Sequence, residues 1–248
     1  MIAIVTGGSR GLGRDMAQSL AAKGQDVILT YNSKKDEAQE VVAHIEKAGR
    51  KAVALQLDVS DSSSFATFAQ SVRDALRHWN REDFDFLVNN AGTGLNAPIM
   101  ETTEEQFDQM MNIHFKGVFF LTQALLPLMK DGGRIVNISS GLARFTFPGY
   151  GAYAAMKGAV EVLTRYMAKE LGPRGIAVNV VAPGAIETDF GGGAVRDNAE
   201  FNSLIAGQTA LGRVGLPSDI GGGVASLLSE DNRWINGQRI EVSGGMLL

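Results

Sequence analysis

The chain has no cysteine, which leaves neither a disulfide framework nor a thiolate metal site and points to the cytoplasm. Its three histidines, His44, His78 and His114, are scattered without ligand spacing, so no metal is expected. Positive charge is also short: 23 Lys and Arg stand against 27 Asp and Glu, a formal net charge of -4. With no basic cluster there is no surface for nucleic-acid phosphates. No run approaches the roughly 20 apolar residues of a membrane span. The opening MIAIVTGGSRGLG has no charged segment followed by a long apolar one, so neither a membrane nor a secretory leader is expected. No Pro/Ser-rich linker, low-complexity tract or repeat interrupts the chain.

What is present is an ordinary globular composition, 45% hydrophobic and 20% charged. Short apolar runs recur at IAIVT (2–6), DVILTY (26–31), KAVALQL (51–57), FDFLV (84–88), GRIVNIS (133–139), IAVNVV (176–181) and QRIEV (238–242), mostly separated by longer amphipathic segments. Strands buried on both faces and joined by helices predict an α/β fold. The expectation is one domain over 1–248, a single doubly wound parallel sheet of about seven strands with helices on both faces. The segment 187–217 follows the sixth run and carries Gly191-Gly192-Gly193, which reads as a mobile substrate loop or as an ordinary surface excursion.

Between the first strand and the first helical pattern stands Gly7-Gly8-Ser9-Arg10-Gly11-Leu12-Gly13. Glycines there let the backbone turn tightly and approach a pyrophosphate, whose charge sits at the helix N-terminus. Much later comes PGYGAYAAMKG, with Tyr150 and Tyr153 upstream of Lys157. Tyr153 and Lys157 are four apart, on one helical face. An ammonium beside a phenol predicts a Tyr153 pKa below its usual value of about 10, which suits a general acid and base.

Thr6-Gly7, Gly11 and Gly13 are followed in order by Asp58-Val59, Asn89-Asn90-Ala91-Gly92, Ser140, Tyr153, Lys157, Asn179 to Gly184, Asn236-Gly237-Gln238 and Ser243-Gly244-Gly245. In that order, over essentially the whole chain, they resemble the short-chain dehydrogenase/reductase family, with the 3-oxoacyl-carrier-protein reductases close in overall pattern. The resemblance implies a Rossmann-like fold and hydride exchange between a nicotinamide cofactor and a small-molecule carbonyl or alcohol. It implies Tyr153 as general acid/base, Lys157 on the nicotinamide ribose and Ser140 orienting the substrate oxygen, with Ser139 the competing choice. Gly7, Ser9, Arg10, Gly11, Leu12 and Gly13 would hold the pyrophosphate side. Asp58 and Val59 would meet the adenine, Asn90, Ala91 and Gly92 the adenosine ribose, and Pro183, Gly184, Ile186 and Thr188 the nicotinamide end. A helix cap is the plainer role for Asp58.

No acid ends the second strand, where an NAD site commonly places one. Asp26 precedes the strand, whereas Arg10, Tyr31, Asn32 and Ser33, with Lys34 as a helper, would surround a 2′-phosphate. NADP(H) is therefore expected over NAD(H); on the plainer reading Arg10 and Lys34 are solvated surface charges. The chain departs from the family at His114, three residues before Gly117, where an asparagine is usual. Asn112 lies about 200° around the helix from it and is no substitute. His114 would hold a relay water and bring a titratable group of about 6.5 to the site, or else merely pack.

Tyr150, seven residues before Lys157, matches a wider spacing found in the enoyl-reductase branch and is otherwise a pocket residue. Leu95, Ala143, Phe145 and Phe147 are further pocket candidates. Competing activities are a 3-oxoacyl-thioester reductase, a sugar or polyol dehydrogenase, and a non-catalytic dinucleotide sensor. A homotetramer, or at least a dimer, is implied through helical stretches 107–130 and 151–171 and the last strand.

Overall fold

The computed structural model describes all 248 residues, Met1 to Leu248. Its apolar runs form β1 (Ile2–Val5), β2 (Asp26–Tyr31), β3 (Ala52–Gln56), β4 (Phe84–Asn89), β5 (Met129–Ile138), β6 (Ala177–Pro183) and β7 (Arg239–Val242). These make one seven-stranded sheet in the order β3-β2-β1-β4-β5-β6-β7, with every pairing parallel. The strand order reverses between β1 and β4, and such a reversal opens a crevice at the strand carboxyl ends. Val5 pairs with Leu29 and with Val88, so β1, β2 and β4 finish nearly level there.

Because successive strand side chains point to opposite faces, Val5 and Leu29 enter one apolar layer and Ile4 and Ile28 the other. The first layer is closed by α1 (Gly11–Ala22), α2 (Lys35–Lys47) and α9 (Pro217–Leu227), the second by α3 (Phe65–His78), α5 (Gly117–Leu125) and α6 (Gly151–Leu171). In α3 the buried residues Phe65, Phe68, Val72 and Leu76 recur at helical spacing. Each such side chain contributes about 1.5–3 kcal/mol on leaving water.

The helical stretch expected over 107–130 runs without interruption from 104 to 128, in four successive parts. These are α4 (Glu104–Met111), a π-helical turn at Asn112–Lys116, α5, and a 3-10 turn at Leu126–Leu128. Pro127 cannot supply an N–H to the ladder and ends the helix. β5 accordingly begins at Met129, four residues before the expected 133, and shifts register against β4 between Phe84 and Phe86. The 187–217 segment contains a 3-10 turn at Phe190–Gly193, α7 (Ala194–Asp197) and α8 (Ala199–Gly207). Gly191, Gly192 and Gly193 all have left-handed φ values of 62°, 76° and 80°, a run that β-carbons would strain. No helix is long and apolar enough to cross a membrane.

Candidate active site

A cavity of about 950 Å³ lies along the carboxyl ends of the strands. Its walls take in Gly7, Ser9 to Gly13, Tyr31 to Ser33, Asp58, Val59, Asn90 to Gly92, His114, Ser140, Tyr153, Lys157, Pro183, Gly184, Ile186 and Thr188. Every residue expected for cofactor or chemistry is therefore in one place.

At one end the turn from β1 to α1 is held by Thr6, whose hydroxyl accepts from the backbone N–H groups of Asn90 and Ala91, each at 2.9 Å. Asn90 Nδ2 donates back to the Thr6 carbonyl at 2.9 Å, so the ends of β1 and β4 are stitched together. Gly7 has φ +65° and a Cβ there would stand 2.9 Å from Ala91 Cα, while one at Gly13 would strike the Gly7 carbonyl. At the start of α1, Arg10 is extended and offers no side-chain acceptor, and no acid stands in the first turn. The unpaired N–H groups of a helix start carry partial positive charge. This donor set, in a cradle that side chains would fill, fits the pyrophosphate of a dinucleotide.

No carboxylate ends β2: the cavity wall there is Arg10, Tyr31, Asn32, Ser33 and Lys34. Arg10 stands 3.7 Å from Asp189, and Lys34 3.6 Å from Glu37, both with side chains 56% exposed. Asp26 sits at the opposite end of β2, bound by Arg50 at 2.8 Å and by the Lys51 N–H at 2.9 Å. Asp58 lines the cavity and accepts from the Ser60 N–H at 2.9 Å and hydroxyl at 2.7 Å, but it is not the expected helix cap: Asp61 caps the turn Ser62–Ser64, accepting from the Ser63 N–H at 3.0 Å.

At the deep end α6 begins just after Tyr150 and carries Tyr153 and Lys157 on one buried face. Lys157 Nζ donates to the Ile138 carbonyl at 2.7 Å and lies 5.6 Å from the centre of the Tyr153 ring. Burial holds the Tyr153 phenol well above its ordinary pKa, partly opposed by its hydrogen bond with Ser140. Burial also pushes the Lys157 ammonium down to about 7. The expected lowering of Tyr153 by Lys157 is thus corrected: desolvation of the buried phenolate dominates.

Ser140 Oγ accepts from the Leu142 N–H at 3.2 Å, capping the turn Gly141–Ala143. Ser139 donates instead to Glu161 at 2.7 Å, so the two candidate serines have different partners. His114 lies on the π-helical turn, with Nε2 at 2.7 Å from the Thr93 carbonyl and its ring edge-on to Tyr153 at 5.1 Å and 89°. Its Nδ1 is buried without a partner. Burial, then the nearby Lys157 charge, lowers its pKa to about 3, so the expected ionisation near 6.5 is absent and the ring is neutral at working pH. A Cβ at Gly92 would come within 2.7 Å of the imidazole.

Leu95, Phe145, Phe147 and Tyr150 line the cavity as expected, but Ala143 does not; Leu142 takes its place. Phe190, Ile205 and Met246 also line it, and Phe190 packs on Tyr153 with ring centres 5.5 Å apart. Phe190 and Ile205 belong to the 187–217 segment expected at the pocket; Met246 was missed, because no local spacing links it to the active face.

A parallel sheet with this strand order and a glycine-rich turn after β1 defines a Rossmann-type protein. Residues 7–247 match the family described as "Enoyl-(Acyl carrier protein) reductase". The chain is 38% identical to a hydroxynaphthalene reductase-like protein, Arp2, of Metarhizium brunneum, over 98% of this chain and 94% of that protein. Among solved structures, the angucycline C-6 ketoreductase LanV with bound NADP superposes with a TM-score of 0.94 at 38% identity, covering 99% of this chain and 95% of that one. A short-chain dehydrogenase/reductase from Serratia marcescens gives a TM-score of 0.91 at 35% identity, covering 100% and 98%. The chain belongs to the short-chain dehydrogenase/reductase family, a class of oxidoreductases.

Proposed function

We propose that the chain is an NADP(H)-dependent reductase of a bulky, apolar, ring-bearing ketone, or the alcohol dehydrogenase in reverse. The observation that carries this reading is the layout of one cavity. Tyr153, Lys157 and Ser140 meet at one end, and Arg10, Tyr31, Asn32, Ser33 and Lys34 line the other with no carboxylate among them.

When bound, the nicotinamide supplies the hydride. Tyr153, kept protonated at neutral pH by burial, gives its proton from Oη to the substrate oxygen. Ser140 donates a hydrogen bond to the same oxygen. Lys157 would hold the ribose and stabilise the phenolate left on Tyr153. His114, as a neutral imidazole, supports Tyr153 and the Thr93 carbonyl. Asp58 and Val59 would meet the adenine, Asn90 to Gly92 its ribose, and Pro183, Gly184, Ile186 and Thr188 the nicotinamide end. The NADP in LanV supports the choice of cofactor.

The substrate end is walled by Leu95, Phe145, Phe147, Phe190 and Met246, which suits a fused-ring ketone better than a sugar or polyol. The naphthalene and angucycline names of the relatives point the same way. The 187–217 segment would close over this substrate. Phe107, Phe119 and Phe120 on α4 and α5, with Val162 and Tyr166 on α6, are exposed and would join copies of the chain as a dimer or tetramer. A cytoplasmic location belongs to the same reading, and the lack of cysteine supports it.

The test follows NADPH and NADH absorbance with fused-ring ketones, 3-oxoacyl thioesters and sugars. NADPH should exceed NADH in kcat/KM by at least about tenfold, the loss of one or two charge-assisted contacts. Tyr153→Phe should cost about 10²–10⁴ in kcat, whereas Tyr150→Phe should act mainly on KM. Equal use of NADH would remove the cofactor assignment, and turnover surviving in Tyr153→Phe would remove the mechanism.

A further inference from the structure

Four charged side chains that this chemistry does not use form a continuous ladder from α6 to the C-terminal segment. Glu161 stands one helical turn beyond Lys157, on the same face of α6. Its carboxylate accepts from the Ser139 hydroxyl at 2.7 Å and from Arg239 Nε at 2.7 Å. Arg239 and Glu241 are two apart on β7, therefore on one face of the sheet, and pair at 3.3 Å. Glu241 binds Arg144 at 3.0 Å, and Arg144 donates to the Met246 carbonyl at 3.0 Å. Arg239 also reaches back to donate to the Ser140 carbonyl at 3.4 Å. The side chains of Glu161, Arg239 and Glu241 are only 15%, 23% and 22% exposed, so their pairing is less screened than that of surface ions.

The ladder grips the Ser140 turn at both ends. Ser140 caps the turn Gly141–Ala143 and Arg144 is the residue that follows it. Arg239 holds the first carbonyl of this segment, while the Arg144 side chain ties its last residue to Glu241 and Met246. Met246 is buried and lines the cavity, where it packs with Ile205 and Val214. The two arginines thus lie behind different parts of the site: one behind the Ser140 backbone, the other behind a wall of the substrate end.

We propose that Arg239 and Arg144 are positioning residues with separable effects on the reaction, an inference that rests on Ser140 orienting the substrate oxygen. Arg239, seated by Glu161, sets the Ser140 hydroxyl. Arg144, seated by Glu241, holds the Met246 wall. A hydroxyl displaced from the reacting oxygen weakens an interaction that strengthens in the transition state and lowers kcat. A displaced apolar wall weakens substrate binding throughout and raises KM.

The experiment compares Arg239→Met, Arg239→Lys and Arg144→Met with the unmodified enzyme and Tyr153→Phe, using NADPH and the best fused-ring ketone. Arg239→Met should lower kcat about tenfold or more with KM within about twofold, since a misplacement of about 1 Å can cost about 10²-fold in rate. Arg239→Lys keeps the charge beside Glu161 but lacks a second nitrogen for the Ser140 carbonyl, and should fall between the two. Arg144→Met should raise KM about fivefold with kcat within about twofold. Should Arg239→Met fail to fold, Glu161→Gln/Arg239→Met removes both charges together and carries the same expectation. Loss of the split, with kcat and KM moving alike in both arginine variants or with neither moving, overturns the proposal. An inactive unmodified enzyme, or an active Tyr153→Phe, instead overturns the reductase reading on which it rests.

Discussion

His114 shows how a single residue's role changes between sequence and structure. From the sequence it stands where the family has asparagine, and its ordinary pKa suggests an ionisation close to neutrality. In the fold it is buried against Tyr153 and Lys157 with its Nε2 on the Thr93 carbonyl, and its pKa falls to about 3. A lowered histidine pKa means that the charged form is present only below that value. Between pH 5 and 9 the pH profile of kcat/KM should therefore carry no limb from His114. His114→Asn, which keeps a polar group at Thr93, should retain most of the turnover, whereas His114→Ala should lower kcat about tenfold, the worth of about one hydrogen bond. Full turnover in His114→Ala would remove the residue from the site. The Tyr153 and Lys157 pairing was legible from a four-residue spacing, because an α-helix maps that spacing onto one face. Their ionisation was not, because desolvation depends on what covers them.

At the scale of elements, the packing of α1 against α9 is carried by a glycine that the sequence does not distinguish from its neighbours. Gly221, Gly222 and Gly223 are consecutive in α9, yet only Gly221 faces α1 closely. A Cβ there would strike Asp15 Oδ1 and come within 2.8 Å of Ser19 Oγ and 2.9 Å of the Asp15 backbone, whereas one at Gly222 would meet nothing within 4 Å. The two alanine substitutions should accordingly act with opposite sign. Gly221→Ala should destabilise by about 1–3 kcal/mol through overpacking, offset in part by helix propensity. Gly222→Ala should stabilise by up to about 1 kcal/mol through propensity alone. Urea denaturation of both variants checks this, and equal shifts would contradict the packing argument. All seven strands could be anticipated, since each is a short apolar run. The π-helical turn inside the expected 107–130 stretch was hidden because residues 112–116 carry no local signal for it; Gly117 there fits closely beneath the Val59 carbonyl, a contact made only in three dimensions.

At the scale of the molecule, several aromatic residues of α4, α5 and α6 stay exposed on one chain, with Phe119 and Phe120 edge-on to each other at 5.1 Å. Phe107, Phe119 and Phe120 are 43%, 39% and 42% exposed and Tyr166 is 64% exposed, on helices that border one another on the same side of the sheet. Light scattering should give a dimer or tetramer mass, and Phe120→Glu/Tyr166→Glu should shift it towards the monomer by placing charges in the buried contact. A monomeric mass for the unmodified chain would sink the assembly proposal. The strand and helix alternation, the glycine turn, the missing acid after β2 and the Tyr153 to Lys157 spacing are all local patterns, and local patterns follow from residue periodicity and backbone sterics. They were enough to anticipate the sheet, the family and the kind of chemistry. The neutrality of His114, the separate partners of Ser139 and Ser140, the wall formed by Phe190 and Met246, and the ladder from Glu161 to Arg144 were decided only by tertiary structure. Each depends on burial or on contact between residues distant in the chain, and neither is encoded in spacing.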